Sequence, residues 1–263
     1  MYAFEYQRAK SVADAAAALS KSGGKALAGG QSLVGAMKLR LANPGTVVDL
    51  SGIGELKGIK KEGDAIVIGA LTTHAEVASS SAVKQAIPAL AALAEGIGDR
   101  QVRNRGTLGG SLANNDPAAD YPAAVLGLNA TVHTNKRKIA ADDFFKGMYE
   151  TALGADEIIT AVSFPVPKKA AYVKFPQPAS RFALVGVFVA QTAGGGRVAV
   201  TGASSHVHRA KAIEDALAKS FTADAAKAVK IPAAQLNNDL HGSAEYRAHL
   251  VSVLAGRAVA AMS

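Results

Sequence analysis

Apolar residues recur along this chain with two periods, a helical one in alanine-rich blocks and a short continuous one in valine- and isoleucine-rich runs. Residues 12–19 (VADAAAAL) predict a helix, with Ser11 suited to its N-cap and Asp14 to its first turn. Residues 25–28 predict a short strand, 32–39 a helix, and 46–50 and 65–68 two more strands. Thr73-His74-Ala75-Glu76 reads as a capping box opening a helix, with His74 expected at the surface. A second helix is expected over 82–95, broken or kinked at Pro88. Residues 96–122 read as loop, 121–128 as helix, and 130–134 and 158–164 (IITAVSF) as strands.

Pro165-Val166-Pro167-Lys168-Lys169 then reads as a linker. Beyond it, strands over 183–191 and 197–201 flank Ala193-Gly194-Gly195-Gly196, the signature of a hairpin. Helices are expected over 209–219, 223–230 and 244–262, the last with Tyr246, Leu250, Val253, Leu254 and Val259 at helical spacing. Strands followed by helices predict a separate C-terminal α+β domain.

Composition narrows the possible chemistry. The 263 residues suffice for two or three subdomains. With no cysteine, the chain can form no disulfide, no Cys-ligated zinc site and no ordinary iron–sulfur cluster. An electron-transfer role would therefore require an organic cofactor or a centre in another subunit. The longest strongly apolar stretch, 182–190, is far shorter than the ~20 residues that span a bilayer. The first residues hold no apolar signal core, so the cytoplasm is the expected location. The net charge of +8 comes from scattered pairs and triples without interleaved aromatics, a solvated basic surface or one facing an acidic partner, not a nucleic-acid groove.

Two glycine pairs raise the question of an anion site. The first lies in Leu27-Ala28-Gly29-Gly30-Gln31-Ser32-Leu33-Val34, the second in Thr107-Leu108-Gly109-Gly110-Ser111. Each sits beside a hydroxyl residue, as a diphosphate site would use: glycine admits the backbone close to an anion and hydroxyls complete the oxygen shell. Two tight turns would give the same pattern. No GxxxxGK[ST] and no GxGxxG after a strand occurs, and Ser32 has the wrong spacing for a nucleophile elbow.

The stretches AGGQSL (28–33) and QVRNRGTLGGSLANNDPAADYP (101–122) resemble the FAD-binding medium subunit of molybdenum hydroxylases, the group of aerobic carbon monoxide dehydrogenase and bacterial xanthine dehydrogenase. The resemblance covers essentially the whole chain. It implies an α+β fold: a two-subdomain FAD-binding domain of the vanillyl-alcohol-oxidase (PCMH) type over 1–167, divided into about 1–54 and 55–167. A smaller α+β domain of the carbon monoxide dehydrogenase flavoprotein type follows over 168–263. It also implies that Leu27, Ala28, Gly29, Gly30, Gln31, Ser32, Leu33 and Val34 form one pyrophosphate segment, and Thr107, Leu108, Gly109, Gly110 and Ser111 the other. Asp120, Ile97, Ile159 and Lys174 match flavin-contacting positions, with no aromatic residue at 97. The partners implied are a large molybdenum-cofactor subunit and a small subunit with 2Fe–2S clusters, assembled as a dimer of heterotrimers. This chain supplies no catalytic acid–base pair and no metal site.

Blander readings stand beside these. Asp120 could cap the helix that follows it. Arg100, Arg103 and Arg105 either face a diphosphate or solvent, and Lys174 is a flavin contact or an exposed strand lysine. His206 and His208 lack nearby acidic or thiol ligands. Three functions follow: an electron-transfer subunit passing electrons from a 2Fe–2S partner through FAD to an external acceptor, a free-standing FAD oxidase or dehydrogenase, and a cofactor-free interaction subunit.

Overall fold

The computed structural model describes residues 1–262; Ser263, the end of the expected second domain, lies outside the described residues. The first fifty residues build a three-stranded parallel sheet, with Thr46–Asp49 between Glu5–Arg8 and Lys25–Leu27. The helix Val12–Ser22 makes the crossover. Ser11 caps it, its hydroxyl accepting the Asp14 amide at 3.1 Å. The face carrying Ala15, Ala18 and Leu19 closes a small core with Val48, Leu50 and Ile53.

A five-stranded antiparallel sheet follows, in the order Ile59–Glu62, Ala65–Gly69, Ile159–Pro165, Thr131–Thr134, Lys138–Ala140. The helices Pro88–Glu95, Leu108–Asn114 and Tyr121–Gly127 lie in the main core with it. The expected helix over 82–95 is two helices, Ser81–Ala86 and Pro88–Glu95. Pro88 opens the second at a position where its missing N–H costs nothing.

The expected loop over 96–122 is largely helical as well. Arg100–Arg105 is capped by Asp99, and Leu108–Asn114 by Thr107. The glycines and polar residues hid both helices, because their periodicity lasts less than two turns each.

The C-terminal part holds a four-stranded antiparallel sheet, in the order Lys169–Pro176, Ala183–Thr192, Gly195–Thr201, His208–Arg209. His208–Arg209 is an edge strand, so the helix expected from 209 begins at Lys211. Val187 and Val189 face the helices Lys211–Lys219 and Ala244–Ala261, while Phe188 and Ala190 enter the main core. Both faces of the Ala183–Thr192 strand are thus covered, which is why it reads as a continuous apolar run. The expected linker shrinks to residues 166–168, whose Val166 and Lys168 amides bond to the Asp64 and Gln191 carbonyls.

Candidate functional site: an amide-lined glycine segment and a buried carboxylate

The strand Lys25–Leu27 ends in residues that leave their amides unused. Among the described residues, the N–H groups of Ala28, Gly29, Gly30, Gln31 and Ser32 have no acceptor. Gly30 sits at φ +75°, in the left-handed region that glycine alone adopts without strain. Its carbonyl accepts the Val34 amide at 3.2 Å and turns the chain into the helix Leu33–Lys38. Ser32 makes no cap bond with its side chain. Gln31 and Ser32 are exposed, and Leu27, Leu33 and Val34 half-buried.

The second glycine segment differs. The Thr107 hydroxyl accepts the Gly110 amide at 3.2 Å, and the Leu108 and Gly109 amides go to the carbonyls of Thr72 (3.1 Å) and Ala70 (2.8 Å). Ser111 donates its amide back to Thr107. Gly109 lies so close to Ala70 that a Cβ would overlap it. The segment therefore offers a tight surface more than free amides. It is joined to the first: a Cβ on Gly29 would overlap the Arg105 carbonyl, and one on Gly110 would lie 3.6 Å from the Ala28 methyl.

Asp120 opens the helix Tyr121–Gly127 but makes no cap bond, so the capping role weighed for it is not the one it plays. Its carboxylate instead meets the C-terminal sheet. The Tyr172 hydroxyl donates to Oδ1 at 2.5 Å, and Lys174 Nζ lies 3.0 Å from Oδ1 and 3.2 Å from Oδ2. Lys174 also donates to the Gly96 carbonyl at 3.0 Å, and its side chain is only 14% exposed, so it is no surface lysine. Burial pushes the Asp120 carboxyl above its ordinary range, against the opposing pull of the Lys174 ammonium and the Tyr172 hydroxyl. Ile97, half-buried, follows Gly96 directly, and Arg103 holds that turn by donating to the Ile97 and Gly98 carbonyls at 2.9 and 3.0 Å.

The structure thus brings Ile97, Asp120 and Lys174 together and joins the two glycine segments. The Ile159 side chain is in the main core; the carbonyl of its neighbour Thr160 takes the Ala70 amide at 2.9 Å. His74 is buried rather than exposed, its ring packed 5.3 Å from that of Tyr121. His74 Nδ1 and the Tyr121 hydroxyl are buried without a hydrogen-bond partner. Burial lowers the His74 pKa from 6.5 to about 4, with the Arg103 charge adding to it. His208 Nδ1 pairs with the Ser204 hydroxyl at 2.9 Å, and among the described residues no cluster of His, Asp or Glu could hold a metal ion. Sequence reading missed Tyr172 and Thr201. The alternation in YVKF places Tyr172 and Lys174 on one face of the strand and was a usable signal.

The amide run is of the kind that suits a phosphate-bearing group: five successive unpaired donors beside a glycine too tightly packed to accept a side chain. With the mixed α/β frame this defines the class, a protein whose main chain is suited to a phosphate-bearing ligand. Residues 2–167 match the family described as FAD binding domain in molybdopterin dehydrogenase, and the chain belongs to that family. It is 38% identical over 272 residues to the nicotine 6-hydroxylase medium subunit of Paenarthrobacter nicotinovorans, covering 98% of this chain and 96% of that one. It is 36% identical over 278 residues to the carbon monoxide dehydrogenase medium chain of Hydrogenophaga pseudoflava, covering 97% and 96%. A solved structure of carbon monoxide dehydrogenase from that organism, lacking the Mo-pyranopterin moiety of its molybdenum cofactor, superposes with a TM-score of 0.90 at 37% identity, covering 99% and 97%. Among the described residues no helix is long and apolar enough to cross a membrane.

Proposed function

We propose that this chain is the FAD-binding electron-transfer subunit of a molybdenum hydroxylase complex. The observation that carries the reading is the run of five unpaired amides, Ala28 to Ser32, held against the Arg105 backbone by Gly29. When bound, FAD supplies a centre that takes electrons singly from an iron–sulfur cluster and releases them singly or in pairs. The residues of the chain bind and orient. Within the segment Leu27, Ala28, Gly29, Gly30, Gln31, Ser32, Leu33 and Val34, the free amides of Ala28 to Ser32 and the Ser32 hydroxyl would hold the diphosphate, and Leu27, Leu33 and Val34 flank it. Thr107, Leu108, Gly109, Gly110 and Ser111 close its other side. Ile97 would offer the flavin an apolar contact, Ile159 would back the site from the core, and Asp120 and Lys174 would present a pair of opposite charges.

The absence of cysteine puts the 2Fe–2S clusters in a small partner subunit, and the molybdenum cofactor belongs to a large one. Relatives of nearly equal identity serve enzymes named for nicotine and for carbon monoxide, so substrate choice resides outside this chain. The proposed assembly is a dimer of heterotrimers in the cytoplasm. Purified chain titrated with FAD is expected to bind one equivalent and show the visible flavin band. Failure to bind overturns the reading, and turnover of an organic substrate by the FAD-loaded chain alone would favour the free-standing enzyme.

A further inference from the structure

We propose that Tyr172 is a positioning residue which, with Lys174, fixes the Asp120 carboxylate so that one lone pair of Oδ2 faces the cofactor and accepts an N–H or O–H from it. The proposal rests on the reading of Asp120 as a flavin ligand.

Tyr172 and Lys174 are two residues apart on the strand Lys169–Pro176 and so project from the same face. In the ladder they pair with Phe188 and Gly186. The Tyr172 ring stacks on Phe188 with centroids 6.2 Å apart. Its hydroxyl passes over Gly186, where a Cβ would overlap the phenol oxygen. A glycine at 186 therefore lets the phenol reach across to Asp120.

A carboxylate offers about four lone-pair sites. Tyr172 donates to Oδ1 and Lys174 to Oδ2, with the Lys174 ammonium also 3.0 Å from Oδ1 as an ion pair, and Oδ2 keeps one lone pair with no donor among the described residues. The site left over can take only a donor. The main chain is fixed from the same sheet: the Thr201 hydroxyl donates to the Pro117 and Ala119 carbonyls at 3.0 and 2.6 Å, and the Gly202 amide to Pro117 at 2.8 Å. The side chain of Asp120 and the backbone just before it are thus both held by the C-terminal sheet, while the glycine segments lie in the N-terminal part. The carboxyl's raised pKa agrees with a group whose ionisation depends on these two donors.

The test uses the full chain loaded with FAD. Tyr172→Phe keeps the ring on Phe188 and deletes only the donor. FAD affinity is expected to weaken about tenfold or more. Affinity should also fall on acidification at a higher pH than in wild type, because the carboxylate has lost a donor that favoured its charged form. Incorporating 3-fluorotyrosine at 172, a stronger donor of nearly the same shape, should move that pH dependence the opposite way. If Tyr172→Phe lowers the melting temperature but leaves FAD affinity, flavin midpoint potential and their pH dependence unchanged, Tyr172 is a packing residue and the proposal is wrong. Should Tyr172→Phe fail to fold, the fluorotyrosine protein decides, and an unshifted profile overturns the proposal. Wild-type chain that binds no FAD overturns the functional reading itself, and so is distinct from wild type and variant binding alike.

Discussion

Gly29 and Arg105 lie backbone to backbone, the α-carbon of one set against the carbonyl of the other so that no side chain fits between. This contact is where the parallel sheet of the first fifty residues meets the capped helices of the second part. A methyl at 29 must push the two segments apart, and overpacking of this kind costs about 1–3 kcal/mol. Gly29→Ala is expected to lose FAD while retaining most of its helical circular dichroism. Gly30→Val should do the same through its φ of +75°, which costs an L residue roughly 1–2 kcal/mol. Gly110→Val would crowd the Thr107 hydroxyl, 2.8 Å from the added Cβ. Gly35→Ala is the control: its Cβ would meet nothing within 4 Å, and flavin occupancy should stay at the wild-type level. Equal occupancy in all four proteins would refute the diphosphate assignment.

Asp120→Ala separates a ligand from a cap. Loss of a cap costs ~1 kcal/mol and would leave flavin binding intact. The side chain makes no cap bond, and its removal leaves the Lys174 ammonium and Tyr172 hydroxyl without their shared acceptor. Breaking a buried pair in this way costs about 3–5 kcal/mol. The expected result is a lowered melting temperature together with loss of FAD, and Asp120→Asn, which keeps an acceptor, should lie between. A melting shift without any change in flavin retention would remove Asp120 from the site.

Much of the frame was legible in the sequence because its elements carry strong local signals. The 12–19 helix has a Ser–Asp start, and the Ala183–Thr192 and Gly195–Thr201 hairpin has a glycine-rich turn. What escaped depends on long-range contacts. The glycine-rich 96–122 region folds as two short helices because Asp99 and Thr107 cap them and because the Ala70 and Thr72 carbonyls accept amides from the second. The two caps are local, but the Ala70 and Thr72 carbonyls come from a distant part of the chain. His74 is the first helical residue after the Thr73 cap of a surface-like capping box, yet the packing of Gly106 and Tyr121 encloses it. The Asp120 partners lie 52 and 54 residues further along, a separation no local pattern encodes.

The enclosure of His74 makes stability depend on pH. Its folded-state pKa, about 4, lies below the ordinary 6.5, so protonation favours the unfolded chain. Stability from this group is fully present above pH 6.5 and is lost as pH falls from there toward about 4. The shift corresponds to roughly 3 kcal/mol at the acid end. His74→Phe is expected to flatten this part of the profile in urea titrations between pH 7 and pH 4.5. An unaltered slope in the variant would assign the acid sensitivity to other groups.

The FAD-loaded chain by itself should fail to oxidise the organic or gaseous substrate of its complex. No cysteine is available to ligate a cluster, and among the described residues no side-chain group could hold a metal ion. Asp120 is locked between Tyr172 and Lys174, and His74 is kept neutral by burial and shielded behind Gly106. Neither is free to take a proton from a substrate, and general acid–base chemistry needs a group within hydrogen-bond reach of one. Dithionite should still bleach the flavin anaerobically, since that requires only access for an electron donor. Candidate substrates should bleach it only after the iron–sulfur and molybdenum subunits are added back. Rapid bleaching of the lone subunit by any of them would instead identify a free-standing oxidoreductase with its own substrate pocket.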